Sequence, residues 1–380
     1  MNLDELRVEI DKIDNQLIDL FQKRMDVAAK IGQYKKENNL PVLDSSRERK
    51  KLNDIASKAE DEFKSHLRVL FSLLFELSRS HQEKITEKKS ELVCDIENAI
   101  STTKPLFPVQ ATVACQGIEG AYSQIACEKV FKHSNIVYFD KWEKVFDAIE
   151  QGFCEYGILP IENSTAGSVK KVYDLMINKN FHIVRSVRIQ VNHSLLCKRG
   201  TKLSDIKEIV SHEQAISQCS EFLDTLEGVK VTTVENTAVA AKMVSESDRS
   251  DIAALSSAEC AEIYNLVSLQ KSVQNKDNNY TRFICISKDM QIYPGADKTS
   301  LMLVLKHQPG ALYKVLSRLY ALEINLIKLE SRPIADRDFE FMFYFDIETS
   351  IYSQEFVDLI RELDEICDEF KYLGSYYEVV

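Results

Sequence analysis

The chain has 380 residues, of which 44% are hydrophobic and 28% are charged, and its formal net charge is −11. This composition is ordinary for a soluble globular protein, and the length allows two to four domains. An acidic chain without a basic block binds nucleic acid and anionic membranes poorly, so neither partner is expected.

Nine cysteines are dispersed along the chain without CxxC spacing. They indicate reduced thiols in a cytoplasmic protein, with no disulfide framework and no metal site. The N-terminus carries charge from Asp4 onward, so no signal peptide is expected, and no apolar run is long enough to span a membrane.

Residues 1–92 are predicted to be wholly helical, with helices at about 3–38, 45–58 and 62–89 and a break at Pro41. At about 1.5 Å per residue the first helix exceeds about 50 Å. This is too long for a globule of about 90 residues, so the helix needs a partner, most simply a second copy of the chain.

Two cations interrupt the apolar face of the first helix. The face is formed at helical spacing by Leu6, Ile10, Ile13, Leu17, Leu20, Phe21, Ala28 and Ile31. Arg24 and Lys35 continue the same spacing and lie eleven residues apart, so they share one side of the helix. A core-facing cation needs an anion, and because no acidic residue shares the face, a ligand is the candidate. The alternative is that both side chains reach a solvated edge.

Further polar residues accompany this pair. Arg7 lies 17 residues before Arg24 and points about 100° away, so it is predicted to serve the pocket of a partner chain. The start of the second helix and the apolar face of the third add Asp44, Arg47, Glu48, Ser78 and Gln82. Asp44 could instead only cap its helix, and Ser78 could only bond within its own helix.

Together these residues resemble the all-helical chorismate mutase family over the whole of block 1–92. The similar stretches are Leu6-Arg7, Gln22-Lys23-Arg24, Lys35, Asp44-Ser45-Ser46-Arg47-Glu48-Arg49 and Glu76-Leu77-Ser78-Arg79-Ser80-His81-Gln82. The family rearranges the dicarboxylate chorismate to prephenate. The reaction needs no acid, base or nucleophile, only a held conformer and stabilised charge on the breaking ether oxygen.

The resemblance also implies a role for each residue. Lys35 and Gln82 would face the ether oxygen, and Glu48 would bind the ring hydroxyl with Asp44 beside it. Arg24 and the partner subunit's Arg7 would hold the carboxylates, with Arg47 and Ser78 nearby.

A linker is predicted at 93–108, where Thr102-Thr103-Lys104-Pro105 and Pro108 stand. Residues 109–290 then alternate short apolar strands with helical patterns, which is typical of two α/β lobes with a cleft between them. The predicted strands are 111–115, 156–161, 183–191, 209–210, 252–255 and 282–287.

This block resembles the prephenate dehydratase family, whose fold is two-lobed like a periplasmic binding protein. The most specific similar stretches are Pro160-Ile161-Glu162-Asn163-Ser164-Thr165 and Thr281-Arg282-Phe283. The family converts prephenate to phenylpyruvate with loss of CO2 and water. The resemblance implies that Thr281 serves the leaving hydroxyl and that Arg282 is the nearest cation. The other residues that it places in the cleft are Glu162, Asn163, Ser164, Ser211, Gln218 and Phe283.

Two positions depart from the family pattern: Glu213 stands where Pro is usual, and Ala166 where Glu is common. These are interpreted as loop variation. Taken alone, Asn163 could only cap a helix and Thr281 could be an ordinary strand residue.

Residues 297–380 read β-α-β-β-α-β, the ferredoxin-like order. The predicted strands are 300–306, 325–331, 339–347 and about 370–377, and the predicted helices are about 310–322 and 353–367. Here the chain resembles the ACT regulatory domain of these dehydratases, whose usual ligand is phenylalanine. The implied effector site comprises Gly310, Ala311, Leu312, Glu330, Ser331 and Arg332. The alternative is a tight turn at Gly310 and a surface pair at Glu330 and Arg332.

The chain is therefore predicted to be a bifunctional isomerase and lyase of phenylalanine biosynthesis. Its substrates would be chorismate and prephenate, its effector L-phenylalanine, and its assembly a homodimer or tetramer without cofactor. A fusion to prephenate dehydrogenase would need a nicotinamide-binding fingerprint, which is not present. A non-catalytic solute-binding protein and a preference for arogenate over prephenate remain as alternatives.

Overall fold

The chain divides into two units, Met1–Glu91 and Leu92–Val380. A computed structural model describes residues 2–38, 40–86, 91–334, 337 and 340–380. In these ranges the first unit is helical, and the second combines two sheets with helices.

Within the described residues, the first unit consists of α1 (Leu3–Glu37), α2 (Ser45–Lys58) and α3 (Lys64–Thr86), with a 3-10 turn at Asp61–Phe63. Helix α1 begins after Asn2, whose side chain accepts the backbone N–H of Glu5 at 2.8 Å. The Glu5 carboxylate accepts the Asn2 N–H at 3.0 Å in return. This reciprocal cap fixes the start of the long helix, as a capping box does elsewhere.

The predicted apolar face of α1 packs within the chain only in its second half. Ala28 is buried, with 5% of its surface exposed, and Gly32 is buried beside it. A Cβ at Gly32 would lie only 3.0 Å from Cγ of Gln82 on α3, so the glycine permits a close approach of the two helices. The first half of the face is exposed, as at Leu6 (46%) and Leu17 (56%). This exposed half is consistent with the expectation that the helix needs a partner, which stays a prediction.

The second unit contains the remaining helices and all the strands of the described chain. Its helices are α4 (Glu91–Thr102, which begins at the boundary), α5 (Tyr122–Val130), α6 (Trp142–Glu150), α7 (Lys170–Asn178), α8 (Glu213–Gln218), α9 (Ser220–Leu223), α10 (Thr237–Glu246), α11 (Glu259–Ile263), α12 (Ala311–Ala321) and α13 (Gln354–Ile366), with a 3-10 turn at Leu203–Asp205. Its strands are β1 (Gln110–Gln116), β2 (His133–Phe139), β3 (Tyr156–Asn163), β4 (Gly167–Ser168), β5 (His182–Gln190), β6 (Ser194–Cys197), β7 (Glu208–Ser211), β8 (Lys230–Thr233), β9 (Ile252–Ser256), β10 (Val267–Gln270), β11 (Tyr280–Ser287), β12 (Lys298–Leu305), β13 (Asn325–Pro333), β14 (Phe341–Glu348) and β15 (Cys367–Val379).

Two lobes follow from the sheet pairing. Strands β1, β2, β3, β5 and β11 form one lobe in the order β5-β11-β3-β1-β2, with β4 beside β3. Strands β6 to β10 form the sheet of the other lobe in the order β10-β6-β9-β7-β8. The chain crosses between the lobes twice, after β5 and before β11. A cleft between the two sheets is the expected ligand position in such a fold.

The last six elements have the predicted β-α-β-β-α-β order. Their strands lie in the order β13-β14-β12-β15, with all neighbours antiparallel. Strand β14 begins at Phe341; the predicted start, residue 339, lies outside the described residues. We call residues 297–380 the small domain.

The predicted linker at 93–108 is wrong over its first ten residues, which belong to α4. Val93, Ile96 and Ala99 are buried and pack into the core of the small domain with Leu301 and Phe356. The segment is helical because its apolar residues repeat at three and four positions, which gives one face that the small domain buries.

The small domain continues the sheet of the first lobe. The end of β15 pairs in parallel with β5, with Tyr377 opposite Arg185 and Val379 opposite Val187. Before this pairing, Gly374 adopts φ +139°, and a Cβ there would overlap the Ile183 carbonyl oxygen. The two domains of the second unit therefore share one ten-stranded sheet.

In the described part of the chain, no helix combines the length and the apolar character that a membrane crossing needs. The nine cysteines are free thiols, and eight of them are buried.

Substitution Gly374→Ala tests whether this junction needs a glycine. Both the backbone strain and the overlap with Ile183 disfavour it, and we expect a loss of at least about 2 kcal/mol in the free energy of unfolding of the second unit. Denaturant titration measures the change. Gly228→Ala is the matched control because Gly228 has φ +73° and a Cβ there would meet no atom within 4 Å. An equal loss in both variants would show that the contact with Ile183 contributes nothing.

Candidate functional site

The first unit brings Arg24 and Ser78 together. Arg24 Nη1 donates to the Leu74 carbonyl oxygen at 2.8 Å and to the Ser78 hydroxyl. The Ser78 hydroxyl itself donates to Leu74 O at 2.7 Å. Ser78 therefore bonds within its own helix, as the alternative expected, and also accepts from Arg24. The guanidinium carbon lies 5.7 Å from the centre of the Phe75 ring. Burial lowers the pKa of Arg24, but no carboxylate in the described contacts offsets its charge.

One turn after Gly32, Lys35 is half-buried and donates from Nζ to the Val42 carbonyl oxygen at 2.5 Å. Gln82 is 7% exposed and packs against Gly32. Its Oε1 is buried without a hydrogen-bond partner among the described residues. A cation and an unpaired amide oxygen on facing helices are suited to a polar ligand, since buried polar groups in proteins are normally satisfied.

The predicted site residues Asp44 and Glu48 at the start of α2, and Arg7 on α1, each have a different partner in the single chain. The Asp44 side chain accepts the Arg47 backbone N–H at 3.0 Å and so caps the helix. Glu48 forms an ion pair with Arg79 of α3, a partner that the sequence pattern did not single out. Arg7 is exposed and pairs with Asp4 at 3.3 Å. At about 1.5 Å per residue Arg7 lies about 25 Å along α1 from Arg24, so one chain cannot bring both to one ligand.

In the second unit, a cavity of about 490 Å³ lies between the two lobes. Its walls come from strands of the first lobe, from helices and loops of the second lobe and from the crossing segment after β5. Asn163, Gln218, Thr281 and Phe283 of the predicted set line it. A volume of this size holds a small organic acid.

The Thr281 hydroxyl is oriented by an amide. Asn163 Nδ2 donates to Thr281 Oγ1 at 3.0 Å and to Asn279 Oδ1 at 2.8 Å. Asn163 Oδ1 accepts from the Thr165 hydroxyl at 2.7 Å, which fixes the direction of the amide. Because the Thr281 oxygen already accepts this bond, its own O–H is available to donate into the cavity.

Gln218 joins the two lobes across the cavity. Its Oε1 accepts from Asn279 Nδ2 at 2.9 Å, and its Nε2 donates to the Thr165 hydroxyl at 3.1 Å. Gln218 lies on α8 of the second lobe, whereas Asn279 and Thr165 belong to the first. The same network that orients Thr281 therefore also holds the lobes in this arrangement.

His193 is a cavity residue that the sequence pattern did not single out. It is 2% exposed, and its Nε2 lies 3.1 Å from Gln218 Oε1. Its Nδ1 has no partner among the described residues. With Oε1 as acceptor, Nε2 carries the proton and Nδ1 is a bare acceptor. His193 follows the predicted strand 183–191, where the chain crosses between the lobes, and this position could have indicated a cavity residue.

Four predicted cleft residues do not line the cavity, which corrects the expectation for Glu162, Ser164, Ser211 and Arg282. Side chains alternate along a strand, so Arg282 and Glu162 face away from the cavity when their neighbours Thr281 and Asn163 face it. Ser211 is fully buried and donates to Leu255 O at 2.7 Å. Ser164 donates to Asn278 O at 3.0 Å and only braces its loop.

The small domain has a second cavity, of about 630 Å³, at the start of α12. Gly310, Ala311 and Leu312 line it, together with Phe341 and Phe343. Gly310 has φ +82°, so this turn needs a residue that tolerates the left-handed region.

The other predicted effector residues, on β13, do not line this cavity. Glu330 accepts from the Ser168 hydroxyl at 2.7 Å, Arg332 pairs with Asp174 at 2.8 Å, and Ser331 is exposed. Within one chain, the predicted set is therefore divided between two places.

Comparisons with known proteins bear on both units. Residues 6–83 match the family model of chorismate mutase type II, and residues 113–291 match that of prephenate dehydratase. The bifunctional chorismate mutase/prephenate dehydratase of Escherichia coli is 30% identical over 379 residues, which covers 98% of this chain and 95% of the relative.

The chain belongs to the bifunctional chorismate mutase/prephenate dehydratase family.

Two further relatives match the dehydratase part. Arogenate dehydratase/prephenate dehydratase 2 of Arabidopsis thaliana is 36% identical over 276 residues, covering 70% of this chain and 72% of the relative. The structure of prephenate dehydratase from Arthrobacter aurescens in complex with L-Phe is 26% identical, with a TM-score of 0.65, and the match covers 70% of this chain and 89% of that one. The two-lobed fold is thus the fold of prephenate dehydratases.

The buried imidazole of His193 predicts that folding stability depends on pH. Burial lowers its pKa, opposed by the hydrogen bond to Gln218. Below about pH 6.5 the unfolded chain binds this proton while the folded chain does not, so stability falls as the pH falls. One such group contributes at most about 1.4 kcal/mol per pH unit. Denaturant titrations from pH 7 to pH 5 should give a shallower slope for His193→Gln than for the unsubstituted protein.

His133→Gln, at an exposed strand position, controls for the loss of a histidine. Parallel slopes for His193→Gln and the unsubstituted protein would contradict the assignment of a neutral His193.

Proposed function

We propose that this chain rearranges chorismate to prephenate in its first unit and converts prephenate to phenylpyruvate, CO2 and water in its second, under inhibition by L-phenylalanine. The observation that carries the second activity is the Thr281 hydroxyl, which lines the cavity between the lobes and accepts from Asn163. Chorismate mutase is assigned to 1–92, the dehydratase to 109–290 and a regulatory ACT domain to 297–380. No cofactor is part of the proposal, and the location is cytoplasmic, as the free thiols favour.

The mutase step is a pericyclic rearrangement, so the protein has to bind and polarise. Arg24 is a half-buried cation with no carboxylate in its described contacts, which suits a substrate carboxylate. Lys35 lies one turn after Gly32 on α1, and Gln82 packs against Gly32 from α3. Both face the ether oxygen, where negative charge develops only as the bond breaks. Glu48 binds the ring hydroxyl.

A second chain completes this pocket. The exposed apolar face from Leu6 to Phe21 is about 22 Å long at the helical rise, and leaving it in water is unfavourable. An antiparallel pairing of two α1 helices buries this face and brings Arg7 of the partner subunit toward Arg24. We therefore propose a homodimer or a tetramer built from such dimers.

In the dehydratase step, the bond between the ring and its carboxylate breaks, and the electron pair moves into the ring as the 4-hydroxyl leaves. Departure as water requires one added proton. The free threonine pKa is far too high for a simple acid near neutrality, so Thr281 acts as a hydrogen-bond donor or in a concerted transfer. The apolar wall at Phe283 receives the departing CO2.

Prephenate is the proposed substrate of this step because the relative that matches nearly the whole chain is named for prephenate, whereas the Arabidopsis relative is named for both acids. The ratio of kcat/KM for prephenate to that for arogenate measures the preference directly. A ratio below one would reverse the assignment.

Phenylalanine is proposed to bind at the cavity beside Gly310. Backbone N–H groups at the start of α12 suit its carboxylate, and Phe341 and Phe343 suit its ring. Glu330, Ser331 and Arg332 are proposed to complete the site from a neighbouring small domain. A Phe-bound relative of the same fold supports the assignment of the ligand.

The two activities should separate by substitution. With chorismate supplied, the unsubstituted protein should form prephenate and then phenylpyruvate, and added phenylalanine should slow the second step. Thr281→Ala should stop the sequence at prephenate, with dehydratase kcat reduced at least about 100-fold and mutase kcat unchanged. Lys35→Ala and Gln82→Ala should each abolish the mutase and still convert added prephenate.

Thr281→Ser, which keeps the hydroxyl, is the matched control and should retain measurable dehydration. Equal loss of both activities in Thr281→Ala would contradict two separate sites. Binding of the substrates without turnover by the unsubstituted protein would favour a non-catalytic binding protein instead.

The shared mutase pocket predicts complementation between inactive chains. Arg7→Ala and Lys35→Ala homodimers each carry two defective sites, but the heterodimer combines both defects in one site and leaves the other intact. Mixing equal amounts under subunit exchange should restore about a quarter of the unsubstituted mutase rate. Lys35→Ala mixed with Gln82→Ala is the control: both defects fall in the same chain's half of the pocket, so no site is restored. Activity in neither mixture would show that Arg7 does not act across the dimer.

A further inference from the structure

Trp142, the one tryptophan of the chain, lines the cavity between the lobes. Its Nε1 is buried and has no hydrogen-bond partner among the described residues. The indole nitrogen can only donate, so the missing partner is an acceptor. Because an unpaired buried donor is costly in a folded protein, a ligand in the cavity is the candidate for this acceptor.

The fold places this indole at the carboxyl ends of the parallel strands of the first lobe. Strand β2 pairs in parallel with β1, with Phe139 opposite Gln116, and Trp142 is the first residue of α6, the helix that follows β2. The indole packs against the core of that lobe. Ligands of open α/β sheets bind at the carboxyl ends of parallel strands, so Trp142 lies where a substrate is expected.

The cavity offers neutral donors in place of cations. Among the described residues that line it, none is Lys or Arg. This suits a reaction in which a carboxylate leaves the ring as CO2, because a cation beside that carboxylate would stabilise the ground state more than the transition state. The parts of the substrate that do not react are therefore left to neutral donors such as the indole of Trp142.

The strand order indicates which end of the substrate reaches this indole. The strands lie in the order β11-β3-β1-β2, so three strand spacings, about 14 Å, separate Thr281 on β11 from the end of β2. In prephenate, the hydroxyl and the pyruvate side chain are on opposite carbons of the ring. A molecule with its hydroxyl at Thr281 therefore extends its side chain toward Trp142.

Of the acceptors in that side chain, the ketone oxygen suits a single indole donor best. A carboxylate is charged and accepts about four hydrogen bonds, so one neutral donor would leave it poorly satisfied away from water. A ketone oxygen is neutral and needs only one donor. Arogenate has an ammonium group in place of this ketone, and an ammonium group cannot accept a hydrogen bond.

We propose that the Trp142 Nε1–H donates to the ketone oxygen of prephenate and so selects prephenate over arogenate in the dehydratase cavity. The proposal rests on dehydration of prephenate as the function of the second unit. The ketone is unchanged by the reaction, so this hydrogen bond is equally strong in the ground state and in the transition state. It therefore contributes to KM and leaves kcat unaffected.

The test removes the donor and keeps an aromatic ring. In Trp142→Phe we expect KM for prephenate to rise about tenfold, as for the loss of one buried hydrogen bond, while dehydratase kcat stays within about twofold. The constant for arogenate, measured as KM or as Ki against prephenate, should change by less than about threefold. Mutase kcat should be unchanged.

Phe146→Leu is the matched control for the loss of ring volume. Phe146 lies one turn further along α6, and its buried ring belongs to the core of the first lobe and does not line the cavity. This substitution should lower the melting temperature and leave KM for prephenate within about twofold. An equal rise of KM in both variants would show that packing of α6, and not the indole N–H, determines binding.

NMR spectroscopy observes the hydrogen bond itself. Because the chain has one tryptophan, labelling with 15N-tryptophan gives one indole N–H signal. The variant Thr281→Ala should bind prephenate without turnover. Saturating prephenate should then move the indole proton signal downfield, since a hydrogen bond deshields the proton, and saturating arogenate should not.

Equal rises for prephenate and arogenate, a fall in kcat at unchanged KM, or an indole signal that prephenate does not move would each overturn the proposal. If Trp142→Phe does not fold, incorporation of β-(3-benzothienyl)alanine decides, because it replaces the N–H by sulfur in a ring of similar shape. A tenfold rise of KM supports the proposal there, and an unchanged KM rejects it. Absence of prephenate turnover in the unsubstituted protein is a different result, which would reject the proposed function itself.

Discussion

Successive side chains of a β-strand face opposite sides of the sheet, and the second unit is organised around this constraint at Thr281 and Arg282. The hydroxyl faces the cavity and the guanidinium faces the small domain. A residue that lines the cavity and a residue that contacts the small domain are thus adjacent in the chain. Thr281 and Arg282 are joined by one peptide bond, so a shift of the backbone at one residue also moves the other.

Arg282 forms ion pairs with Glu162 and Asp346 behind Thr281, and the burial of Arg282 and Asp346 makes these pairs important for stability. Exposed ion pairs contribute little, and the one between Arg7 and Asp4 on α1 is of this kind. By contrast, Asp346 is sealed from water, so breaking its pair with Arg282 leaves a desolvated charge. Burial and the charge of Asp346 act in opposite directions on the pKa of Arg282, and the net effect is a raised pKa. The guanidinium therefore stays charged, and the contact is permanent as long as the domains stay together.

The sequence predicted the position of a side chain well where its neighbours lie close along the chain, and poorly where they belong to distant segments. Helical spacing was sufficient to place Arg24 and Lys35 on one face, and the β-α-β-β-α-β order of the small domain followed from local patterns. The direction of Arg282 was also within reach, because strand alternation puts it opposite to Thr281. The prediction placed Arg282 in the cleft because the family resemblance implied that Arg282 is the cation nearest to Thr281.

Other features depend on pairings between distant segments, which periodicity does not encode. The parallel contact of β15 with β5 joins residues almost 200 positions apart, and α4 packs on strands just as distant in the chain. His193 became a cavity residue only because two crossing segments meet at Gln218. The first half of the α1 face shows the same limit: its periodicity predicts a helix, but the described residues of this chain leave that half exposed.

These contacts imply different degrees of independence for the parts of the chain. Arg24, Lys35 and Gln82, the residues proposed for the mutase step, find their described contacts within Met1–Glu91. The dehydratase lobes, by contrast, share a sheet and a buried ion pair with the small domain. Without the small domain, both the edge of β5 and the Arg282 guanidinium that pairs with Asp346 would meet water. An uncovered strand edge invites aggregation, so the pairing with β15 protects the first lobe. The small domain is therefore a structural neighbour that keeps the sheet edge of the first lobe covered.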